Sequence, residues 1–294
     1  MEDIFRTGYT GDQDDNCLVD RARGGEKAAL EELIRKHQEW IYNIALRMVG
    51  NPEDAGDVTQ EILLKLVTRL ATFQKRSSFR TWVYRIVVNH VLTMRRRLWE
   101  RLFFSFERHA DLIESIPETN PAYPRRSPAE ERLLLEETKT GCLTGMLLCL
   151  DRRERIALIL STFFDAGSRL GGELLETSAE NYRQILSRAR KRLADFMNER
   201  CGLLNENNSC RCVKKIQGVI EAGLVDPQHP RFDLPYLHRI REFVAAKAPL
   251  VDAAVEMKLQ NVLRDQPMYR SPDFKRVISL MLRRGEIGEI IDFR

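Results

Sequence analysis

The sequence predicts an all-α fold, on three observations. Apolar residues recur at steps of three and four along most of the chain, the spacing of one buried helix face. Val, Ile and Thr form no alternating runs of any length, which argues against half-buried strands. Pro and Gly are scarce across 26–105, where a series of helices fits. The chain has 294 residues, 43% hydrophobic and 31% charged, enough for two or three small domains with real cores. Net charge is only +4, so any nucleic-acid footprint has to lie in local patches. No apolar run approaches the roughly 18 residues that span a bilayer. The opening MEDIFRTGYTGDQDDN is acidic and polar, unlike a signal peptide. A soluble, cytoplasmic chain without membrane insertion is expected. Six cysteines in this length do not make a disulfide framework.

Residues 1–24 read as a flexible N-terminal segment. A first domain, 25–104, holds helices at about 26–50, 53–73 and 78–100, with Asn51-Pro52 as one break and RSS at 76–78 as another. Residues 105–129 contain PETNPAYPRRSP and read as a linker. Helical pattern resumes at about 129–164 and 168–200, giving a second domain over 130–200. A third segment, 201–294, reads as a helical extension, strongest at about 234–264 and 272–284. Its apolar positions, from Leu234 and Leu237 through Val255, Leu259 and Val262, suit a small bundle, either a regulatory or contact module or a stability appendage with no separate role.

In EDAGDVTQEILLKLVTRL, Val58, Ile62, Leu63, Leu66, Val67 and Leu70 form the buried stripe. Asp57, Gln60 and Glu61 share the outer face, and Glu53 and Asp54 suit the positive helix start. The resulting acidic patch either docks on a basic protein surface or is an ordinary solvated face. KRSSFRTWVYRIVVNHVLTMRRRLWER follows, with Lys75, Arg76, Arg80, Arg85, Arg95, Arg96, Arg97 and Arg101 against a single acid, Glu100. Phe79, Trp82 and Tyr84 lie among these cations. Charge for phosphates and flat rings for unstacked bases are what single-stranded nucleic acid requires. Asn89 and His90 add groups able to read a base edge. Some of the aromatics have to be core.

ETSAENYRQILSRARKRLADF carries a capping-box spacing at Thr177 and Glu180, with Ser178 as a competing cap. Tyr182, Ile185, Leu186, Ala189, Leu193, Phe196 and Met197 make its apolar stripe. The other face holds Asn181, Arg183, Gln184, Ser187, Arg188, Arg190, Lys191 and Arg192, types that pair with base edges and phosphates. A solvated basic face is the alternative.

CGLLNENNSCRC groups Cys201, Cys210 and Cys212, with His229 and His238 the nearest histidines. A structural zinc is one reading, although the spacing is not the usual C-x₂-C knuckle. Reduced structural or redox-responsive thiols are the other. Cys142 and Cys149 read as core. No phosphate loop, HExxH, EF-hand loop or GxSxG occurs, so catalysis by this chain alone is not expected.

DVTQEILLKLV followed by FRTWVYRIVVNHVLTMRRR resembles region 2 of sigma-70-family RNA polymerase sigma factors. LDRRERIALIL and ETSAENYRQILSRARKRL resemble region 4. Their order and the Pro-rich linker are similar to the extracytoplasmic-function subfamily, over roughly residues 25–200, with 201–294 as an addition. The resemblance implies two helical domains, a region 2 bundle and a region 4 helix-turn-helix. It implies core polymerase as partner, through the β′ clamp helices and the β subunit, with Asp54, Asp57, Gln60 and Glu61 at the contact. It implies promoter DNA as ligand. Phe79, Arg80, Thr81, Trp82, Arg85, Asn89, Arg95, Arg96 and Arg97 would then bind the −10 element. Glu180, Asn181, Arg183, Gln184, Ser187, Arg188, Arg190 and Lys191 would bind the −35 element in the major groove. An anti-sigma factor is a further implied partner, and the chemistry would belong to the polymerase. A stand-alone helix-turn-helix regulator is the competing function, and an adaptor that titrates polymerase is a third. Two departures stand out. Gly171-Gly172 in AGSRLGGELL costs roughly 1 kcal/mol each in a helix interior, which implies either a weakened −35 module or close helix packing. WERLFFSFERHADLIESI is apolar enough to pack, along the polymerase or over region 2.

Overall fold

The computed structural model describes residues 12–103, 105–119, 126–228, 255–266 and 268–274. Helices account for all regular structure there, and no strand occurs among the described residues. The chain forms two compact units, one drawn from Met1–Arg96, Ile159–Tyr182 and Arg270–Arg294, the other from Arg97–Leu158 and Arg183–Tyr269.

The first unit opens with α1 (Asp12–Arg23), α2 (Lys27–Val49), α3 (Pro52–Arg69) and α4 (Phe79–Thr93). The expected break between α2 and α3 is there, and its chemistry is explicit. The Asn51 side chain accepts from the N–H groups of Glu53 (2.8 Å) and Asp54 (3.0 Å), and Pro52 takes the first helical turn, where its missing N–H costs nothing. The core is the expected stripe of α3 packed on Leu30, Leu33, Ile34, Trp40, Ile41 and Ile44 of α2 and on Val83 and Val87 of α4. Beyond the sequence expectation, residues 159–164 close the same core. Phe164 meets Trp40 edge-on at 6.4 Å, and the buried Arg47 guanidinium lies 4.2 Å from the Phe163 ring centroid.

The N-terminal segment corrects the expectation of flexibility. Over its described residues it is the helix α1, packed on α2. Asp15 is fully buried, 2.7 Å from Lys36 Nζ and 3.2 Å from His37 Nε2, and the Trp40 indole N–H donates to His37 Nδ1 at 3.0 Å. Lys36 and His37 together hold the Asp15 carboxyl below its ordinary value against the opposing effect of burial. Arg23 donates to the carbonyls of Leu70 (2.9 Å) and Ala71 (3.1 Å) in the 3₁₀ turn that follows α3. A helix pinned by a buried carboxylate and a capping arginine has little apolar periodicity to betray it.

α4 ends at Thr93 rather than near 100. Two short helices follow, α5 (Leu98–Leu102) and α6 (Phe106–Ser115), then α7 (Pro128–Leu148) and α8 (Arg152–Phe163), the last shared by the two units. The expected linker, 105–129, therefore contains a helix. In the second unit, Phe106 packs on Phe196 at 5.0 Å and α6 lies on α7. So Phe103, Ala110 and Ile116 of the apolar 98–116 stretch are buried in the second unit, whereas Leu98 and Leu102 are exposed. Glu100, 4% exposed, pairs with Arg152 and Arg155 at 2.8 and 3.0 Å.

α9 (Ser168–Leu174) and α10 (Ala179–Arg200) come next, then α11 (Cys212–Glu221). α11 packs on α7 through Ile216 and Val219 against Leu134, with Ile116 and Val225 in the same cluster. Lys215 Nζ donates to the carbonyls of Ile113 (3.0 Å) and Ile116 (2.6 Å), closing the end of α6. The start of the C-terminal extension is thus built into the second unit. α12 (Val255–Arg264) matches the end of the helix expected at 234–264, and it buries Leu259 and Leu263. The rest of that stretch, residues 275–284 of the helix expected at 272–284, His229, His238 and the linker residues 120–125 lie outside the described residues. No helix among the described residues is long and apolar enough to cross a membrane.

Candidate functional site

α3 turns Val58, Ile62, Leu63, Leu66 and Val67 inward, and this fixes what faces outward. Asp57 and Glu61 are exposed, and Asp54 and Gln60 are half-buried beside them. The expected acidic face is therefore present as one surface. Glu61 is also 3.2 Å from His90 Nε2, and Lys65 Nζ is 2.6 Å from His90 Nδ1. His90 is only 4% exposed. It bridges α3 and α4 and is not presented to read a base, which corrects that expectation.

α4 starts on Ser78, whose hydroxyl accepts the Thr81 N–H at 3.1 Å. Phe79 points inward and is fully buried, with ring contacts at 5.3 Å to both His37 and Phe73. It is a core residue, not a base-capturing one, because the first turn of α4 has to close the bundle. Its function is one step removed. Trp82 stacks on it at 5.6 Å and remains half-exposed, so the indole is held on a rigid aromatic base. Thr81 is half-buried, while Arg85 and Asn89 are exposed. Arg80 Nη2 donates to the Tyr84 hydroxyl at 3.0 Å, which fixes the guanidinium along the helix. Arg85 lies 3.7 Å from Glu173 of α9, a pair half-open to solvent and weak by its exposure. Past the end of α4, Arg95 and Arg96 are exposed and Arg97 is half-buried. One face of α4 thus offers the exposed Arg85 and Asn89 beside the half-exposed Trp82 indole, and the exposed Arg95 and Arg96 follow the helix end.

α9, a tight turn and the start of α10 form the helix-turn-helix pattern. Glycine at 171 and 172 is explained by closeness. A Cβ at Gly171 would collide with the Tyr182 ring, and one at Gly172 would press on the Thr177–Ala179 backbone. The helix cost is offset by packing, so close approach is the reason for these residues. The cap of α10 is Ser178, whose hydroxyl accepts the Asn181 N–H at 3.0 Å. Thr177 instead accepts from the Asn181 side chain at 2.6 Å. The predicted stripe from Tyr182 to Met197 is buried throughout. Glu180, Asn181, Arg183, Gln184, Ser187, Arg188 and Lys191 are exposed and Arg190 is half-buried. Lys191 also pairs with Asp195 at 2.8 Å. Arg192 is exposed too, and it also pairs with Glu154 and lies 5.6 Å from the Phe106 centroid.

Cys201 is buried just after α10, and Cys210 and Cys212 are half-buried nearby. Burial pushes the Cys212 thiol up to about 12 and raises Cys201 and Cys210 as well. Thiols held neutral in this way are poor nucleophiles. Among the described residues, no group of three or more His, Cys, Asp or Glu side chains is placed so that it could hold a metal ion. Sequence reasoning treated Cys142 as plain core, yet it stands with these three. Its distance along the chain gave no signal of that.

Residues 33–101 match the model of sigma-70 region 2. The chain is 27% identical over 176 residues to the ECF RNA polymerase sigma factor SigE of Mycolicibacterium smegmatis, covering 59% of this chain and 64% of that one. It is 36% identical over 89 residues to the RNA polymerase sigma-H factor of Pseudomonas aeruginosa, covering 29% of this chain and 46% of the relative. It is 27% identical over 169 residues to the RNA polymerase sigma factor YlaC of Bacillus subtilis, covering 58% of this chain and 92% of the relative. The chain thus spans under two thirds of the length of the first two.

Proposed function

We propose that this chain, which belongs to the sigma-70 family of RNA polymerase sigma factors in its extracytoplasmic-function branch, is a promoter-specificity subunit. It binds core RNA polymerase through the acidic face of α3, at Asp54, Asp57, Gln60 and Glu61. It captures the melted −10 strand on α4 and the arginines after it, and reads the −35 element with α10. The observation that carries this reading lies within the region 2 match. An exposed carboxylate face and a separate cation-and-indole face stand on adjacent helices of one rigid bundle. The first is suited to a basic protein surface, the second to unstacked bases and phosphates.

Each group has a task. Trp82, braced by Phe79, offers a flat face to an extruded base. Arg85, Arg95 and Arg96 neutralise phosphates of the displaced strand, and Arg80 is pre-oriented by Tyr84. On α10, Asn181, Arg183, Gln184, Ser187 and Arg188 face the groove, and Arg190 and Lys191 contact the backbone. The chain has no catalytic role of its own, and nucleotide addition belongs to the polymerase.

The test is fluorescence anisotropy with labelled promoter DNA, with and without core polymerase. The proposal predicts sequence-specific binding only when core is present. Specific binding by the chain alone would instead identify a stand-alone helix-turn-helix regulator.

A further inference from the structure

Trp82 owes its position to more than the helix that carries it. Phe79, one of the two rings against it, sits three residues earlier on α4 and moves with it. The other is Phe73, which lies outside α4. Its ring centroid is 5.4 Å from that of Trp82 and 5.3 Å from that of Phe79, and it is 2% exposed. The three rings form one cluster at ordinary aromatic separations. Phe73 is the member that fixes the indole from a second segment of the chain.

Phe73 directly follows the 3₁₀ turn Leu70–Thr72. The turn closes through the Phe73 N–H, which donates to the Leu70 carbonyl at 3.2 Å. The N-terminal helix α1 holds it from outside. Arg23 lays its guanidinium against three carbonyls. Its Nε and Nη2 donate to that of Leu70 (3.1 and 2.9 Å), and Nη2 donates also to those of Ala71 (3.1 Å) and Phe73. Water can satisfy carbonyls at a helix end, but it does not fix where they stand. A rigid, planar fork of donors can hold several at once, and the single point charge of an ammonium cannot do so in the same way. Lys75, whose backbone takes a left-handed φ of 54°, meets Asp20 of α1 at 2.6 Å. That pair is exposed and adds little by itself, but it ties the same loop to the same helix. α1 (Asp12–Arg23) lies outside the 33–101 match to region 2.

We propose that α1 belongs to the strand-capturing face, with Arg23 as a positioning residue. It holds the 70–73 turn and, through Phe73, sets the Trp82 indole where an extruded base stacks. This role rests on the reading of Trp82 as the base-holding group. Arg23 touches neither base nor phosphate in it. The turn loses its freedom before DNA arrives, so ordering the indole costs less at the moment of capture.

Arg23→Met and Arg23→Lys are compared with wild type in the full chain by two measurements. One is amide hydrogen exchange. The other is fluorescence anisotropy of a short labelled single-stranded DNA of mixed sequence, with the chain bound to core RNA polymerase and the binding of core alone subtracted. Both substitutions speed exchange across 70–77 by at least about tenfold and leave the interior of α3 as in wild type. DNA affinity falls by about three- to tenfold, while retention on core is unchanged. In a Trp82→Ala background, Arg23→Met has no further effect on DNA affinity, whereas a general loss of stability would weaken binding in either background. Wild-type exchange over 70–77 in either folded variant overturns the proposal. So does wild-type DNA affinity in Arg23→Lys, or an equal loss from Arg23→Met with and without Trp82. If Arg23→Met loses its helical circular dichroism, Arg23→Lys decides. A wild-type chain that adds no DNA binding to core overturns the promoter reading as well, which separates the two failures.

Discussion

Replacing Glu100 by alanine should destabilise the second unit well beyond the effect of any exposed ion pair. Its Oε1 accepts from Arg152 Nε at 2.9 Å and Arg155 Nη1 at 3.0 Å, and its Oε2 from Arg152 Nη2 at 2.8 Å and the Arg97 N–H at 3.1 Å. Arg155 is 3% exposed and cannot swing to solvent freely, because it also donates to the carbonyls of Leu147, Leu148 and Leu150. Without Glu100 its charge stays buried and uncompensated, which costs about 3–5 kcal/mol. At roughly 2–4 °C per kcal/mol, that lowers the melting midpoint by about 6–20 °C. Burial alone would raise the Glu100 carboxyl. The side chains of Arg152 and Arg155 and the Arg97 N–H outweigh it and hold the group below its ordinary value. A depressed carboxylate stabilises the fold above its unfolded-state pKa, and that contribution is lost as pH falls through the folded-state value. The gap between wild type and Glu100→Gln should therefore be full at neutral pH and close in acid. Thermal melts by circular dichroism across that range measure it. A neutral-pH loss below about 1 kcal/mol, the scale of an exposed pair, or a gap independent of pH, would refute the reasoning.

Three further outcomes are expected. Asp57→Ala with Glu61→Ala should abolish binding to core polymerase in a pull-down while the fold is retained, the melting midpoint falling only by the small contribution of the half-open Glu61–His90 pair. Arg188→Ala should cost about 1–3 kcal/mol of −35 binding with relaxed sequence preference; equal losses on specific and random DNA, with a shallower salt dependence, would mark it as a phosphate contact. Gly171→Ala should drive a methyl into the Tyr182 ring and cost about 1–3 kcal/mol, so that −35 binding falls in gel shifts while core binding persists.

Much of this molecule was legible in its sequence because helical periodicity states burial directly. The α3 and α10 stripes are buried as read, and the acidic and basic faces follow from them by geometry alone. What escaped was held by polar pins or long-range convergence. α1 is docked by Asp15 and Arg23, which in a sequence look like solvated charges. Glu100 looked like a lone acid in a basic run, and its arginine partners, though in the same compact unit, lie far along the chain at Arg152 and Arg155. Phe79 sits among the cations and aromatics read as a nucleic-acid surface, but its direction into the core depends on where α4 begins. Cys142 joins three distant cysteines only once α7 and α11 pack together.

The most direct test of the central claim is run-off transcription. Purified chain and core RNA polymerase are incubated with sheared DNA from the source genome, and the 5′ ends of the RNA are sequenced. Promoter-directing function predicts discrete start sites that share upstream −35 and −10 sequences and vanish without the chain. Core polymerase that binds the chain yet initiates nowhere, with or without residues 201–294, would contradict it.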